Sequence, residues 1–186
     1  MDDFSSALAA AVRDARVSHG LSAVALAERS GVSRAMVGKI ERGEAQPTAA
    51  LLGRLSGALG LTLSELIARA EGDDDRRLAR AEQQPVWTDP GSGYVRRAVS
   101  PAAGGPLELV EVSLPAGAEV AYAADTYAFL HQQIWVLDGR LVFREGAVDH
   151  DLGPGDCLQL GPPSACVFCN VTDESCRYLV ALARRA

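Results

Sequence analysis

The cationic groups best spaced to meet another molecule lie in one stretch, Val32 to Gly43, reading VSRAMVGKIERG. Val32, Met36, Val37 and Ile40 recur at helical spacing on one side, which leaves Arg34, Lys39 and Arg42 toward water. Near the start of a helix, the planar fork of Arg34 matches the O6/N7 edge of guanine in a DNA major groove. Lys39, about one and a half turns further on, reaches a base or a phosphate. Ala35 and Gly38 are small enough for close approach, and Ala35 can touch a thymine methyl. The plain alternative for Arg34 and Lys39 is a solvated helix face.

Sulfur chemistry has its own candidate in Cys166-Val167-Phe168-Cys169, with Cys157 and Cys176 elsewhere in the same half. On an extended strand the two thiols of that C-x-x-C face opposite sides, which spoils chelation and disulfide closure. Buried, inert thiols are the preferred reading, and a zinc or redox role stays open.

The elements that must hold these groups follow from caps and spacing. Ser33 is a natural N-cap, its hydroxyl accepting from an orphan helical N–H, and Gly43 supplies a left-handed end. Upstream, Leu21 to Gly31 has its own cap at Ser22 and its own stop at Gly31. Two short capped helices joined by a small-residue turn make a helix-turn-helix. A first helix is expected over 4–19, with Phe4, Leu8, Val12 and Ala15 inward. Thr48 caps a fourth helix, which turns Leu51, Leu52, Leu55 and Leu59 to the core and ends at Gly60. A fifth runs from Leu63 to Ala70. Ser22, Ser33, Arg42 and Thr48 are then the groups expected to touch phosphates, through hydroxyls, a guanidinium and helix N-terminal amides.

This half resembles the DNA-binding domain of the phage-repressor-like, xenobiotic-response-element (XRE) regulators. The resemblance rests on Gly20-Leu21-Ser22, Leu26-Ala27, Gly31-Val32-Ser33, Ile40-Glu41-Arg42-Gly43 and Pro47-Thr48. It implies that Arg16 pairs with Glu41 inside the domain and does not contact DNA. One departure is Ala23, where such domains often carry a phosphate-contacting Gln, so that contact is lost or supplied elsewhere.

A charge run, Glu71 to Arg77, reads as a solvated linker within residues 71–85, with a short helix over 78–84. From Val86 the periodicity changes from about 3.6 to 2. Strands are expected at Tyr94–Val99, Leu107–Leu114, Ile134–Leu137, Leu141–Phe143, Cys157–Leu160, Ser164–Asn170 and Arg177–Leu182. Asp138-Gly139 reads as a two-residue hairpin turn. Many short strands at even spacing predict an antiparallel sandwich or barrel. The order Leu114-Pro115-Ala116-Gly117, HQQIWVLDGRLVF, Leu152 to Asp156, a Pro pair and Asn170 resembles a cupin, a small jelly-roll barrel. The fold class is therefore two-domain: an all-α five-helix helix-turn-helix domain over 1–70, a linker over 71–85, and an all-β cupin-like sensor and dimerisation domain over 86–186.

Metal-binding cupins hold a divalent ion with three imidazoles and one carboxylate. Their motif spacing puts Gln132 at the carboxylate position, Asp125 and Tyr127 near the first two imidazoles, and Cys166 at the third. This half holds only His131 and His150, so one chain cannot supply three imidazoles there, and His131 should face away from Gln132. The resemblance thus implies a barrel without metal or other cofactor. By strand parity Asp125, Tyr127, Gln132, Cys166 and Phe168 are expected inward, either as an effector pocket or as the packing of a small barrel.

Charged residues at 23% and apolar ones at 48% describe a globular chain. No run reaches the ~18 apolar residues of a membrane helix. The acidic start MDDFSSALAAAV lacks the basic n-region of a signal peptide, so the cytoplasm is the expected place. The net charge of −6 divides unevenly: residues 1–70 hold eight basic and seven acidic groups, residues 83–186 seven and twelve. DNA binding would then rely on placed Arg and Lys, and on a homodimer over two half-sites, because no general positive field exists. The leading reading is a sequence-specific transcription regulator, repression being the commoner output of such proteins. Its expected partners are a double-stranded DNA operator and a small-molecule effector, with no membrane. A cupin-type metal enzyme with an accessory DNA-binding domain, and an antitoxin or constitutive DNA-binding module, are the alternatives. Coupling between the halves is expected to pass through residues 71–85.

Overall fold

The computed structural model describes residues 3–71, 77–101 and 105–185, the side chains of Asp3, Phe4 and Glu71 excepted. The inward placing of Phe4 and most of the linker charge run, residues 72–76, lie outside the described residues. Five helices come first: α1 (Asp3–Ser18), α2 (Ala23–Ser30), α3 (Arg34–Glu41), α4 (Ala49–Ala58) and α5 (Leu63–Glu71). Their starts are set by side-chain caps. The hydroxyls of Ser22, Ser33 and Thr48 accept from the N–H of Ala25, Met36 and Leu51 at 3.1, 3.2 and 3.4 Å. Gly31, at φ 63°, ends α2 and makes the tight turn into α3. Leu8, Val12, Leu26, Val37, Ile40, Leu52, Leu55 and Leu66 close the helical core. Among the described residues no single helix is long and apolar enough to cross a membrane.

Where a helix is expected over 78–84, only a 3-10 turn forms, at Ala81–Gln83. Arg80 before it and Gln84 after it are extended, and Gln84 is held so by the proline that follows.

Ten strands follow: β1 (Val86–Thr88), β2 (Val95–Ala98), β3 (Leu107–Leu114), β4 (Glu119–Tyr122), β5 (Leu130–Asp138), β6 (Leu141–Glu145), β7 (Val148–Leu152), β8 (Cys157–Gln159), β9 (Cys166–Cys169) and β10 (Cys176–Arg184). They form two antiparallel sheets, ordered β1-β2-β3-β10-β5-β8 and β4-β9-β6-β7. From β3 onward this order is a jelly roll, two interleaved Greek keys, with β1 and β2 extending one sheet. The seven strands expected from alternation are all present, β5 being longer than expected. Not expected were β1, β4 and β7. In β7, Val148 to Asp151 have little burial on either face, so the sequence there does not alternate.

Asp138-Gly139 is not a hairpin. The chain passes there from β5 in one sheet to β6 in the other, and the two strands do not pair. Only Gly139 has positive φ, at 75°. A Cβ on it would stand 2.7 Å from the carbonyl oxygen of Ser175 and 2.9 Å from Cα of Cys176. The glycine lets the chain entering β10 pass close by.

The two halves also share a direct seam outside residues 71–85. Asp89 Oδ1 accepts from Ala49 N–H at the start of α4, at 2.6 Å. Thr62 Oγ1 donates to Glu108 at 2.7 Å, and Arg184 Nη2 donates to both carboxylate oxygens of Glu65 at 2.7 and 2.9 Å. α4 lies on β4 and on the turns after it. A Cβ on Gly53 would meet the Tyr122 ring at 3.1 Å, and one on Gly57 would meet the Thr126 carbonyl oxygen at 2.8 Å. Gly57→Val is therefore expected to lower the unfolding free energy by about 1–3 kcal/mol, measured by chemical denaturation. A neutral result would mean that this contact is loose.

Candidate nucleic-acid interface and barrel cavity

Arg34, Ala35 and Lys39 are exposed on α3, Gly38 is half-buried, and Val37 and Ile40 are buried behind them. What holds α3 in place is the Arg16 guanidinium. Its Nε and Nη2 donate to the two carboxylate oxygens of Glu41 at 2.6 and 2.9 Å, and its Nη1 donates to the Leu21 carbonyl at 2.8 Å. One side chain thereby ties α1 to the start of α2 and the end of α3. The hydrogen bond to Glu41 raises the Arg16 pKa, so the guanidinium stays charged. Arg54 of α4 adds a second tie that the sequence did not announce. Its Nε donates to the Ser30 carbonyl at 3.0 Å and its Nη2 to the Gly31 carbonyl, gripping the turn between α2 and α3.

The groups expected on phosphates divide. Ser22 and Ser33 are exposed, and each uses a lone pair for its own helix and keeps its O–H to donate outward. Arg42 is not free as expected: its Nε and Nη2 donate to Glu44 at 2.7 and 2.8 Å. It lies back over Gly38, where a Cβ would come 3.0 Å from Arg42 Nη1, so Gly38 makes room for this pair. Thr48 is exposed, but the first amide of its helix is already taken by the carboxylate of Asp89. A phosphate approaching there meets an anion.

In the barrel, Tyr127, Gln132, Cys166 and Phe168 come together around its interior. Asp125 does not join them. Residues 124–129 run as turns, strand parity does not apply to them, and Asp125 points to solvent. Cys166 and Phe168 share the inner face of β9; Cys169 is also buried, but its thiol donates to Glu119 at 3.3 Å. Two small cavities of about 30 Å³ each lie side by side. The inner one is bordered by Tyr94, Arg96, Tyr122 and Tyr178, the outer one by Glu145, Ser164, Cys166 and Arg185, and Tyr127 and Gln132 border both.

Arg96 and the tyrosines are the site residues that sequence reasoning missed. Arg96 is 6% exposed, and its Nη2 donates to Ser64 of α5 at 2.6 Å and to Glu108 at 3.3 Å. The available signal is parity, since Arg96 and Ala98 share the buried face of β2 and Tyr94, just before it, is buried in the same alternation. An arginine there still reads as outward until the helices above it are placed. The Tyr94 and Tyr122 hydroxyls are 3.3 Å apart. Burial pushes Tyr122 and Tyr178 well above the usual tyrosine value, which keeps them O–H donors.

The positions where cupins hold a metal do not fit one here. Gln132 is an amide, Asp125 faces away, and burial, with Glu145 beside it, pushes the Cys166 thiol up to about 11. Among the described residues no group of three or more His, Cys, Asp or Glu is placed to hold a metal ion. All four cysteines are unpaired, Cys157 exposed and the others buried. Burial also pushes Cys176 up to about 11.

Fold and site together define a helix-turn-helix protein with a jelly-roll partner domain. Residues 12–66 match the helix-turn-helix family HTH_3, so this part of the chain is a domain of that family. The HTH-type transcriptional regulator SutR of Escherichia coli (strain K12) is 37% identical over 68 residues, which span 37% of this chain and 38% of SutR. An HTH_3 family transcriptional regulator from Vibrio cholerae has a crystal structure that superposes with a TM-score of 0.82 at 26% identity, covering 100% of both chains. Both halves and their order are thus shared with that structure.

Glu41→Ala leaves Arg16 without its carboxylate partner in a nearly buried place. It is expected to cost about 3 kcal/mol of stability, read from denaturant unfolding. Thiol labelling of the native protein near neutral pH is expected to modify Cys157 well before the other three, and Cys157→Ser to remove the fast phase. Fast labelling of Cys166 would contradict its burial.

Proposed function

We propose that this protein is a homodimeric, sequence-specific DNA-binding regulator, with repression its output, and that its barrel takes a small-molecule effector. The observation that carries the reading is the set Arg34, Ala35 and Lys39, exposed on a capped helix locked from behind by Arg16 and Glu41. A helix held this way can enter a major groove without paying to order itself. Arg34 is assigned to a guanine edge, Ala35 and Gly38 to close approach, and Lys39 to a base or phosphate. The likeness to two proteins described as transcriptional regulators supports this reading. Regulation is proposed over catalysis because the barrel interior offers donors and apolar walls but, among the described residues, no set of metal ligands. The cytoplasm follows as the place where operator DNA is met.

Coupling has a contiguous route. Tyr127 borders the cavities, its neighbour Thr126 rests on Gly57 of α4, and Arg54 of the same helix holds the carbonyls of Ser30 and Gly31. A ligand that displaces Tyr127 would shift the turn that aims α3.

Selection from random duplexes, followed by titration of the winning operator, tests the reading. Arg34→Ala is expected to cost ~1–3 kcal/mol of specific binding and to relax one operator position. Glu44→Gln, which releases Arg42, is expected to tighten binding to every duplex and to steepen the salt dependence by about one phosphate contact. Wild-type protein that prefers no duplex over random competitor would overturn the proposal.

A further inference from the structure

We infer that the inner cavity of the barrel is a binding site for a short-chain carboxylate monoanion, with Arg96 as its anchor. For its regulatory meaning the inference rests on the effector reading above; for its ligand class it rests on the cavity alone. Arg96 Nε is buried and has no hydrogen-bond partner among the described residues. A buried donor left unpaired costs about 1–3 kcal/mol, so this atom favours any acceptor that can reach it. The other polar groups around the cavity are Tyr94, Tyr122, Tyr127, Tyr178 and Gln132, all able to donate, and among the described residues no acidic side chain borders it. An acceptor-only group suits such a lining.

Charge sets the valence. Glu108 meets Arg96 on the far side at a long 3.3 Å, and its other oxygen also accepts from Thr62. Glu108 thus already balances the guanidinium formally, so a bound anion adds negative charge that the unpaired Nε and the phenol donors must offset, which is easier for one charge than for two. The remaining walls, among them Val112, Phe168 and Leu182, are apolar and call for a short hydrocarbon body. Size sets the length. The cavity of about 30 Å³ has room for a group the size of a water molecule, so one carboxylate oxygen fits beside Arg96 and the rest of a short acid needs Tyr127 to yield toward the outer cavity. Tyr127 lies on a turn, so its ring is the part of the partition that can yield.

The test uses the full chain, with thermal unfolding and the fluorescence of Trp87, whose ring packs edge-on against Tyr94 at 6.0 Å. The probes are formate, acetate, propionate and butyrate, with acetamide as the neutral isostere, and chloride and sulfate at equal ionic strength. A saturable rise in melting temperature with at least one carboxylate, about ten-fold weaker or more with acetamide and missing with chloride and sulfate, supports the site. Arg96→Met should abolish the response. Should that variant not fold, Tyr122→Phe, which removes one donor and keeps the ring, should weaken it several-fold. No saturable response to any of the four acids, an equal response to acetamide or chloride, or an unchanged response in the variants overturns the inference. Operator affinity measured with the same acids separates the two claims. Saturable, Arg96-dependent binding with unchanged DNA affinity keeps the site and removes the effector reading. A metabolite extract that shifts DNA affinity while no carboxylate binds keeps the effector reading and removes the site.

Discussion

α4 has no side chain at Gly53 or Gly57, and the Tyr122–Thr126 segment of the barrel fills the space so left. The rest of the molecule hangs on this close approach. Leu52 and Leu55, from the same helix, belong to the helical core. Arg54, between the two glycines in sequence, reaches away from the barrel to the turn before α3. Ten residues thus serve as a wall of one domain, a wall of the other, and a brace for the helix that would meet DNA. Glycine inside a helix costs roughly 1 kcal/mol relative to alanine. That cost is offset here by contact with a barrel that no alanine-faced helix could approach as closely.

Electrostatics follows the same economy of placement. The helical half has almost no surplus of positive charge, and much of what it has is committed internally. Arg16 is spent on Glu41, Arg54 on backbone carbonyls, and Arg42 leans on Glu44. The exposed Arg42–Glu44 pair is weak by nature, so it can open against a phosphate. Arg16 with Glu41 is of another kind, 14% and 10% exposed, and works as a fastener between three helices. Sequence discrimination would come from Arg34 and Lys39 in fixed positions, with little help from long-range attraction.

What was legible in the sequence was local. Ser22, Ser33, Thr48 and Gly31 act within a few residues of themselves, so the helix limits follow from residue type, and the packed face of α3 follows from spacing. Alternation likewise revealed the strands that have one wet face. Several of the differences are non-local. Asp138-Gly139 carries the residues of a hairpin, yet which sheet a strand joins depends on partners that sequence spacing does not name. Asp125 was assigned by strand parity in a segment that is not a strand. Arg96 was passed over because its burial depends on Ser64 and Glu108, which come from α5 and β3. Asn170, a mark of the cupin resemblance, proves to be a turn builder, donating to the carbonyls of Leu114, Pro115 and Glu174.

β10 lies between β3 and β5, and Arg184 near its end clasps Glu65 of α5. Both its neighbours are made earlier on the ribosome, and they wait with open edges until it arrives. The helical bundle can form once α5 has emerged to pack on α1, well before the barrel strands are made. The larger sheet cannot close, and α5 cannot be clasped, before residues 176–184 are inserted. Assembly of this protein therefore has a keystone order, and half-made chains expose unpaired strands at the stage when aggregation is the main hazard.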